Sequence, residues 1–357
     1  MGPQDKALVA MSGGVDSSVA AALLQDAGYE VTGVFMCLGY AEESGNESRT
    51  CCSPKDAADA QEVGQILGIE VIVLSVSYAF EPIINNFVEE YARGRTPNPC
   101  VHCNTRIKFG RLFDLADSLG SRYVATGHYA RVASGDGQPA IERAKARDKD
   151  QSYALFGIER RRLDRILMPV GEFENKMHVR ETAWRMGLPV HEKPDSQEVC
   201  FLSDEDYVSL LERSKPEALR SGKIVDSAGN VIGRHDGYAR FTIGQRRGLG
   251  IAAGRPIYVT QIDPVTATVS AGPREELLTR RLRASHANWH NDVPEEFDAT
   301  VQVRYNHRGT QGRVRTDVEG TFEVEFLEPV SAVAPGQAAV VYTGSRLLGG
   351  GWIETNR

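Results

Sequence analysis

The residues best suited to chemistry form a glycine-rich turn near the start of the chain, Ser12-Gly13-Gly14-Val15-Asp16-Ser17. An apolar run of strand length, Lys6–Met11, precedes the turn, and apolar residues at helical spacing follow it as far as Gly28. Backbone N–H groups at a helix N-terminus bind anions, and glycines allow an anion to approach them closely. The pattern predicts a phosphate-binding turn in which the serines donate hydroxyls and Asp16 orients the loop or helps to hold a magnesium ion.

The motif narrows the choice of phosphate ligand. No lysine follows the glycines, as a G-x-x-x-x-G-K-[ST] loop requires, and the dinucleotide pattern G-x-G-x-x-G is absent. The turn resembles S-G-G-x-D-S, the pyrophosphate loop of the ATP pyrophosphatases, which cut ATP between its α and β phosphates and adenylate a substrate oxygen. The alternative is an ordinary glycine-rich turn whose serines cap the helix.

Thiols are the second group of reactive residues. The chain has six cysteines in 357 residues, too few for a disulfide scaffold, so in a reducing compartment they indicate metal ligands or reactive thiols. Cys100-x-x-Cys103 falls in a predicted loop over residues 94–104, and Cys200 stands far along the chain. By itself a C-x-x-C pair is compatible with redox chemistry, with metal binding or with neither.

Composition sets broad limits. A chain that is 41% hydrophobic and 25% charged is typical of globular proteins, and its length allows two or three domains. The net charge of −7 neither indicates nor excludes nucleic-acid binding, which depends on local patches. With no signal peptide and no apolar run of membrane-spanning length, we expect a cytoplasmic protein without membrane contact.

Strands and helices alternate over residues 1–130, which predicts a doubly wound α/β domain with a parallel sheet. The strand Arg122–Thr126 ends in Gly127-His128, a second ligand-facing position at the edge of that sheet. The other predicted strands are Lys6–Met11, Tyr29–Met36 and Glu70–Val76, and the predicted helices are Pro54–Leu67, Phe80–Arg93, Lys108–Leu119 and Asn175–Met186.

The sequence pattern changes beyond about residue 221, where turn residues separate short β-rich runs. We predict a catalytic domain over 1–205, a central β-rich domain over 206–280 and a C-terminal β-barrel over 281–357. The barrel strands are predicted at Thr300–Tyr305, Gly312–Thr316, Thr321–Phe326 and Ala338–Tyr342.

Residues 143–165 carry eight arginines and lysines against four carboxylates, inside a chain of opposite net charge. Such a segment is either an RNA-phosphate surface or a solvated charged face.

A series of motifs gives the chain a family resemblance. In order they are Gly94-Arg-Thr-Pro-Asn-Pro with Cys103-Asn104, Thr126-Gly-His-Tyr129, Lys149-Asp-Gln-Ser-Tyr153, Asp195-Ser-Gln-x-x-Cys200-Phe201, Phe241-Thr-Ile-Gly-Gln-Arg-Arg-Gly248 and Pro335-Gly-Gln337. Together with the glycine-rich turn they resemble the tRNA-uridine 2-sulfurtransferases, and the resemblance covers essentially the whole chain.

The resemblance implies ATP-dependent insertion of sulfur at C2 of the wobble uridine, position 34, of certain tRNAs. Adenylation converts the poor C2 oxygen leaving group into AMP, which a sulfur nucleophile then displaces. It further implies that Cys200 carries a persulfide received from a donor or relay protein. Cys103 then frees the sulfur, closing a Cys103–Cys200 disulfide that must later be reduced.

The same resemblance implies binding residues for ATP, the base and tRNA. His128 alternatively bonds a neighbouring loop, and Arg304 and Tyr305 alternatively belong to an ordinary barrel surface. The implied ATP contacts are Ala10, Met11, Ser12, Gly13, Gly14, Val15, Asp16, Ser17, Met36 and Gly127; the target-base contacts are Asn98, Pro99 and Cys100; the tRNA contacts are His128, Lys149, Asp150, Gln151, Arg304, Tyr305 and Gln337.

Cys100 departs from the aspartate that many family members carry at this position. The change leaves three thiols, Cys100, Cys103 and Cys200, that could ligate a [4Fe–4S] cluster and leave one iron open. Sulfur would then travel as hydrosulfide on that iron. The third thiol favours this route, since two suffice for persulfide transfer. The sequence leaves both routes open. Cys51 and Cys52 are either surface or packing residues, or thiols that relay sulfur or electrons.

Two other functions fit parts of the sequence. One is an ATP pyrophosphatase that acts on a small metabolite, which would leave the cysteines without a role. The other is a non-catalytic RNA-binding protein, which the intact glycine-rich turn disfavours. The oligomeric state lies between monomer and weak dimer.

Overall fold

A central parallel sheet is the framework of the first half of the chain. In a computed structural model that describes residues 5–38, 53–135, 137–195, 199–202, 206–252 and 254–355, five strands pair in the order β3-β2-β1-β4-β7, all parallel. The predicted doubly wound α/β fold is therefore confirmed. The strands are β1 (Lys6–Met11), β2 (Glu30–Cys37), β3 (Val71–Ser75), β4 (Tyr123–Ala125) and β7 (Ile166–Leu167).

Strand β1 is the centre of this sheet because its apolar side chains are buried on both faces, with Leu8 and Val9 fully inaccessible. The chain moves outward through β2 and β3 on one side of β1 and through β4 and β7 on the other. Strand order therefore reverses between β1 and β4, and in such sheets ligands bind beyond the carboxyl ends of the strands at that point. The glycine-rich turn and Gly127 lie there.

Helices and a hairpin complete this part of the fold. Ser53 is the N-cap of α2 and forms a capping box, in which its hydroxyl accepts from the Asp56 N–H and the Asp56 carboxylate accepts from the Ser53 N–H. The helices are α1 (Val15–Asp26), α2 (Pro54–Leu67), α3 (Ser77–Ala92) and α6 (Lys176–Arg185), and the antiparallel hairpin consists of β5 (Ala130–Gly135) and β6 (Gln138–Arg143).

The segment around the C-x-x-C pair is helical, so the prediction of a loop over residues 94–104 is wrong in its second half. A helix begins at Pro99 and continues to Ser118 as α4 (Pro99–Cys103), a π-helical stretch Asn104–Arg111 and α5 (Leu112–Ser118). Proline is favoured in the first helical turn, where its missing N–H has no intrahelical partner. The loop pattern of Gly94–Asn98 obscured that start.

The chain divides into two compact units. The first comprises residues 1–82, 100–204 and 345–347, and the second comprises residues 83–99, 205–344 and 348–357. The predicted domain boundaries at 205/206 and 280/281 remain predictions.

The second unit contains α7 (Tyr207–Ser214), a four-stranded sheet and a closed barrel. The sheet has the order β10-β11-β8-β9, and the barrel strands run β12-β15-β14-β13-β16-β17, with β17 pairing back to β12. The predicted β-rich part and barrel are confirmed. The bounds are β8 (Gly222–Val225), β9 (Val231–His235), β10 (Tyr258–Asp263), β11 (Thr268–Gly272), β12 (Leu278–Trp289), β13 (Glu296–Gln302), β14 (Thr310–Thr316), β15 (Phe322–Ser331), β16 (Ala338–Thr343) and β17 (Arg346–Thr355).

The barrel core is made of alternating side chains such as Val301, Val314, Val324 and Val341. Across the described ranges, no helix is long and apolar enough to cross a membrane.

Candidate nucleotide and thiol site

The glycine-rich turn joins the end of β1 to the start of α1. Gly14 is the N-cap of α1 and offers no capping side chain. The Ser17 hydroxyl accepts from the Ser12 N–H at 3.1 Å and donates to the Gly14 carbonyl at 3.0 Å, so the serines fix the shape of the turn. A helix N-terminus without a side-chain cap, at the carboxyl end of the central strand, is suited to an anion.

Two glycines are required here by close backbone approach. Gly13 has φ +69°, and a Cβ on it would lie 2.3 Å from the Asp56 carbonyl oxygen. A Cβ on Gly127 would lie 2.6 Å from the carbonyl carbon of Asp16 and from the backbone nitrogen of Ser17. The end of β4 therefore packs directly on the turn, which brings the two predicted ligand-facing positions together.

Other predicted ATP residues lie around the turn. Ala10, Met11 and Val15 are buried, so only their backbone can face a ligand. Met36 is half-buried in β2, in register with Leu74 of β3.

Asp16 is the centre of a polar cluster. Its carboxylate accepts from Lys176 Nζ at 2.8 Å (Oδ1) and 2.7 Å (Oδ2), and from the Tyr129 hydroxyl at 2.8 Å. Lys176 Nζ also lies 2.7 Å from Asp195 Oδ1, and Asp195 in turn contacts Lys149 at 3.3 Å. Sequence reasoning missed Lys176, because a lysine at the start of an amphipathic helix carries no motif signal.

The ionisation states of this cluster follow from burial and charge. Burial, followed by the neighbouring Asp16 carboxylate, raises the pKa of Tyr129, so its hydroxyl stays protonated and donates. Burial alone would raise the pKa of Asp195, but hydrogen bonds and positive charge from Lys176 and Lys149 outweigh it, and the net pKa lies below the ordinary value. Asp195 therefore stays ionised near neutrality.

A second lysine braces the turn from the other side. Lys193 Nζ donates to the Gly13 carbonyl at 3.0 Å, to Asp56 at 2.6 Å and to Asp59. Burial lowers the pKa of Lys193, but hydrogen bonds and charge from the two aspartates more than compensate and raise it. This ion-paired lysine joins the turn to α2.

The thiols of Cys100 and Cys103 are one helical turn apart on α4, a spacing that places them on one side of the helix. Cys100 is exposed, whereas Cys103 and Cys200 are half-buried. In the part of the chain that the structure describes, no three His, Cys, Asp or Glu side chains are grouped so that they could hold a metal ion. The three cysteines in this arrangement therefore do not fit a [4Fe–4S] site. Cys51 and Cys52 lie outside the described residues.

The helix that follows Cys103 is fixed at its π-helical stretch. Asn104 is 3% exposed and donates Nδ2–H to the Ala154 carbonyl at 3.0 Å, while its buried Oδ1 has no hydrogen-bond partner among the described residues. Burial and the charge of Arg106 lower the pKa of His102 to about 4, so this imidazole is neutral at pH 7. π-Helical stretches are frequent at functional sites.

Of the predicted base-contacting residues, Pro99 begins α4 and Asn98 ends the loop before it, which the second unit holds at several points. The Thr96 N–H donates to the Pro335 carbonyl at 2.8 Å, and Gln337 Nε2 donates to the carbonyls of Thr96 and Pro97 at 3.2 and 2.9 Å. At the base of this loop, Arg95 contacts Glu90 and Glu354, each at 2.7 Å. In this structure the Gln337 amide is thus used to hold the loop.

Four predicted tRNA residues lie in the first unit. The His128 ring Nδ1 lies 2.6 Å from the hydroxyl of Thr126, two residues before it in the chain. Burial, with a contribution from Lys108, lowers its pKa well below the ordinary value, so it is neutral. Gln151 accepts from the Tyr129 N–H at 2.9 Å, and Asp150 pairs with Arg143 at 2.8 Å. Lys149 contacts Asp195, as described above.

Several arginines and lysines of the basic segment 143–165 contact other residues of the first unit. Arg162 and Arg165 both lie over the Phe113 ring, at 4.9 and 5.1 Å, and donate to backbone carbonyls. Lys145 pairs with Glu172 at 3.0 Å. Several cations of the segment 143–165 therefore have partners within the fold, while Arg147, Arg160 and Arg161 are exposed, and both interpretations of the segment remain predictions.

Arg304 and Tyr305 follow barrel strand β13 in the second unit. The Arg304 guanidinium donates to the Ser331 carbonyl at 2.6 Å, whereas Tyr305 is 49% exposed. An exposed aromatic ring beside an arginine is suited to stacking on an RNA base.

Comparisons with known proteins cover nearly the whole chain. Family models described as a tRNA methyl transferase HUP domain, a tRNA methyl transferase PRC-barrel domain and an aminomethyltransferase beta-barrel domain match residues 5–204, 209–273 and 279–353.

Curated relatives match over almost their full length. Proteins named tRNA-specific 2-thiouridylase MnmA from Carboxydothermus hydrogenoformans and Chloroflexus aggregans are each 47% identical to this chain, over 98% and 97% of it, and 97% of each relative is covered. The protein of that name from Rhodopirellula baltica is 44% identical over 98% of this chain and 96% of its own length.

Proposed function

The chain belongs to the family of tRNA-specific 2-thiouridylases, and from that premise we propose how its residues insert sulfur at C2 of the wobble uridine of tRNA. It is a sulfur-transferring enzyme that thiolates uridine in tRNA and uses ATP. The single observation that best supports the proposed chemistry is the turn Ser12–Ser17, which is uncapped, lies at the switch point of the sheet and has Asp16 at its end.

The first step activates the base. The C2 oxygen of uridine forms a bond to the α-phosphorus of ATP, the bond from that phosphorus to the bridging oxygen breaks, and pyrophosphate leaves with the electron pair. The N3 proton is lost, and the base becomes an O-adenylated imidate. Backbone N–H groups of the turn bind the phosphates, with Ala10 to Ser17, Met36 and Gly127 around the nucleotide. Asp16, with two carboxylate oxygens, is suited to hold a magnesium ion, which would neutralise phosphate charge.

The second step transfers sulfur. The terminal sulfur of a Cys200 persulfide attacks C2 and AMP leaves, so that the base is bound to Cys200 through a disulfide. The Cys103 thiolate then attacks the Cys200 sulfur, which releases 2-thiouridine and forms a Cys103–Cys200 disulfide. An external thiol reductant reopens it. The donor of the persulfide is a sulfur-carrying protein.

The persulfide route is favoured over the cluster because the described His, Cys, Asp and Glu side chains form no metal-binding group. Cys100 then lies beside the target base with Asn98 and Pro99.

Recognition of tRNA is assigned to both units. In the first unit it uses His128, Lys149, Asp150 and Gln151; in the second it uses Arg304 and Tyr305, whereas Gln337 acts through the loop that its amide holds. The base leaves the anticodon-loop stack to react. A tRNA substrate supports the proposal of a cytoplasmic enzyme.

A pyrophosphate-release assay tests the function. With wobble-uridine tRNA and ATP, we expect pyrophosphate release that depends on the tRNA, followed by 2-thiouridine when a persulfide donor is added. A tRNA with cytidine at the wobble position is the matched control. Pyrophosphate release that needs a small metabolite in place of tRNA would contradict the proposal, as would tRNA binding without any turnover of ATP.

A further inference from the structure

Lys176 is a desolvated cation at the end of the phosphate-binding turn. Its side chain is 12% exposed, and its ammonium group contacts both carboxylate oxygens of Asp16, at 2.8 and 2.7 Å. Asp16 lies in the first turn of α1, two residues after Gly14. Lys176 therefore occupies the mouth of the turn, although it comes from the start of a distant helix, α6.

A second carboxylate holds the same ammonium group. Asp195 Oδ1 lies 2.7 Å from Lys176 Nζ, and Arg180 and Lys149 contact Asp195 at 3.5 and 3.3 Å. Three cations thus surround two carboxylates, so the cluster carries an excess of positive charge. Asp195 therefore gives Lys176 a second carboxylate acceptor besides Asp16.

Lys193 provides a contrast within the same site. Its three acceptors are Asp56, Asp59 and the Gly13 carbonyl, all of which join the turn to α2. Lys193 therefore stabilises the fold of the turn. Of the two acceptors of Lys176, Asp16 lies at the start of α1, where the triphosphate of ATP would bind. Its carboxylate and the phosphates carry like charge and repel each other unless a cation lies between them.

We propose that Lys176 binds the β- and γ-phosphates of ATP and stabilises the pyrophosphate that leaves. In the nucleotide-free protein its ammonium group neutralises Asp16. When ATP binds, Lys176 leaves Asp16, stays on Asp195 and turns its released N–H groups to the terminal phosphates. As the bond between the α-phosphorus and the bridging oxygen breaks, the electron pair develops on pyrophosphate beside a fixed positive charge. This inference rests on the proposed use of the turn for ATP.

Nucleotide binding to the full-length chain tests this assignment. Calorimetry with ATP, inorganic pyrophosphate and AMP is run on wild type and Lys176→Met. We expect the variant to bind ATP and pyrophosphate about 10- to 100-fold more weakly, the range for a lost charge-assisted contact, and AMP within about twofold of wild type. A purely structural role in shaping Asp16 and the turn would weaken AMP binding as well, and equal losses for ATP and AMP would overturn the proposal.

Two further variants separate charge from folding. Lys176→Arg keeps the positive charge, and we expect it to recover most of the ATP affinity, which gives a test even if Lys176→Met folds poorly. Lys145→Met removes an exposed, ion-paired lysine of the same unit and should bind ATP like wild type. A Lys176→Arg variant as weak as a correctly folded Lys176→Met would contradict the proposal.

Failure of the proposed function gives a different result. A wild type that binds ATP yet thiolates no tRNA would contradict the function, while the ratio of ATP to AMP affinity in Lys176→Met would still decide the role of the lysine.

Discussion

Gln337 donates its side-chain amide to the Pro97 carbonyl at 2.9 Å, across a separation of 240 residues in the chain. The amide reaches the Thr96 carbonyl as well, at 3.2 Å. The contact joins the barrel to the loop that leads into Asn98, within the second unit. The family resemblance places Gln337 against tRNA. The structure shows that its amide also holds the loop at Thr96 and Pro97.

Replacement of Gln337 by alanine should lower the rate of thiolation more than it lowers tRNA affinity. Loss of two neutral hydrogen bonds loosens the loop, and we expect a decrease of roughly tenfold in single-turnover rate. The tRNA dissociation constant should change less than about threefold, which corresponds to less than one such bond. Gln311→Ala, on the exposed face of the same barrel, is the matched control. A loss of affinity with an unchanged rate would assign Gln337 to direct tRNA contact instead.

Asp16→Ala should abolish tRNA-dependent pyrophosphate release while tRNA binding is largely retained. The carboxylate lies at the phosphate-binding turn and bonds Lys176 and Tyr129, and none of these contacts involves RNA. Pyrophosphate release and filter binding of tRNA are the two measurements. Asp26→Ala, at the exposed far end of the same helix, should behave as wild type in both. Thiolation by Asp16→Ala near the wild-type rate would refute the assignment.

The basic segment should contribute to tRNA binding through few of its residues. Arg147 is exposed, and Lys149 bonds Asp195 at the edge of the nucleotide cluster. The slope of log affinity against log salt is negative. Each phosphate contact removed by Arg147→Ala or Lys149→Ala should reduce its magnitude by about 0.7 to 0.9. Arg162→Ala is a poor probe, since its guanidinium packs on Phe113 and bonds the Phe109 carbonyl. An unchanged slope in the Arg147/Lys149 double variant would show a solvated face.

Removal of His128 should leave that salt slope unchanged at pH 7.5 and at pH 6.0. Burial and Lys108 lower its pKa well below 6.5, so the imidazole is neutral at both values and releases no counterion. The effect on stability has the opposite sign to that of a histidine whose pKa is raised by an ion pair. The stability due to a neutral His128 is present above about pH 6.5 and is lost as pH falls below it, because the unfolded chain takes up a proton first. A slope that differs between wild type and His128→Gln only at pH 6.0 would show that His128 is charged there.

Cys100→Asp should retain most of the thiolation activity, because the persulfide route needs only Cys103 and Cys200. Cys103→Ser and Cys200→Ser should each abolish thiolation, since a hydroxyl neither carries a persulfide nor opens one at neutral pH. Iron and sulfide are measured in anaerobically prepared wild type and Cys100→Asp. A wild type whose iron and activity are both lost in Cys100→Asp would overturn the persulfide route in favour of the cluster.

Local patterns were sufficient for the fold class, for most of the elements of the parallel sheet and for the family. The strand, glycine-rich turn and helix around Ser12–Ser17 follow from apolar spacing and from backbone freedom that only glycine provides, both of which are properties of neighbouring residues. The same holds for the capping box at Ser53 and for the alternating strands of the barrel. The motifs indicated the family because their residue types and their order along the chain can be read directly from the sequence.

Tertiary structure decided which side chains meet. Lys176 reaches Asp16 from 160 residues away, and Gln337 reaches Pro97 from 240, and neither pair has a spacing that periodicity could detect. The helix at Pro99 replaced a predicted loop because helical contacts over Pro99–Ser118 outweigh the turn propensity of the preceding Pro and Asn residues. The contact of the Arg162 and Arg165 guanidinium groups with the Phe113 ring likewise depends on tertiary packing. Charge and residue type are local properties, but the partner of a charge is set by the fold.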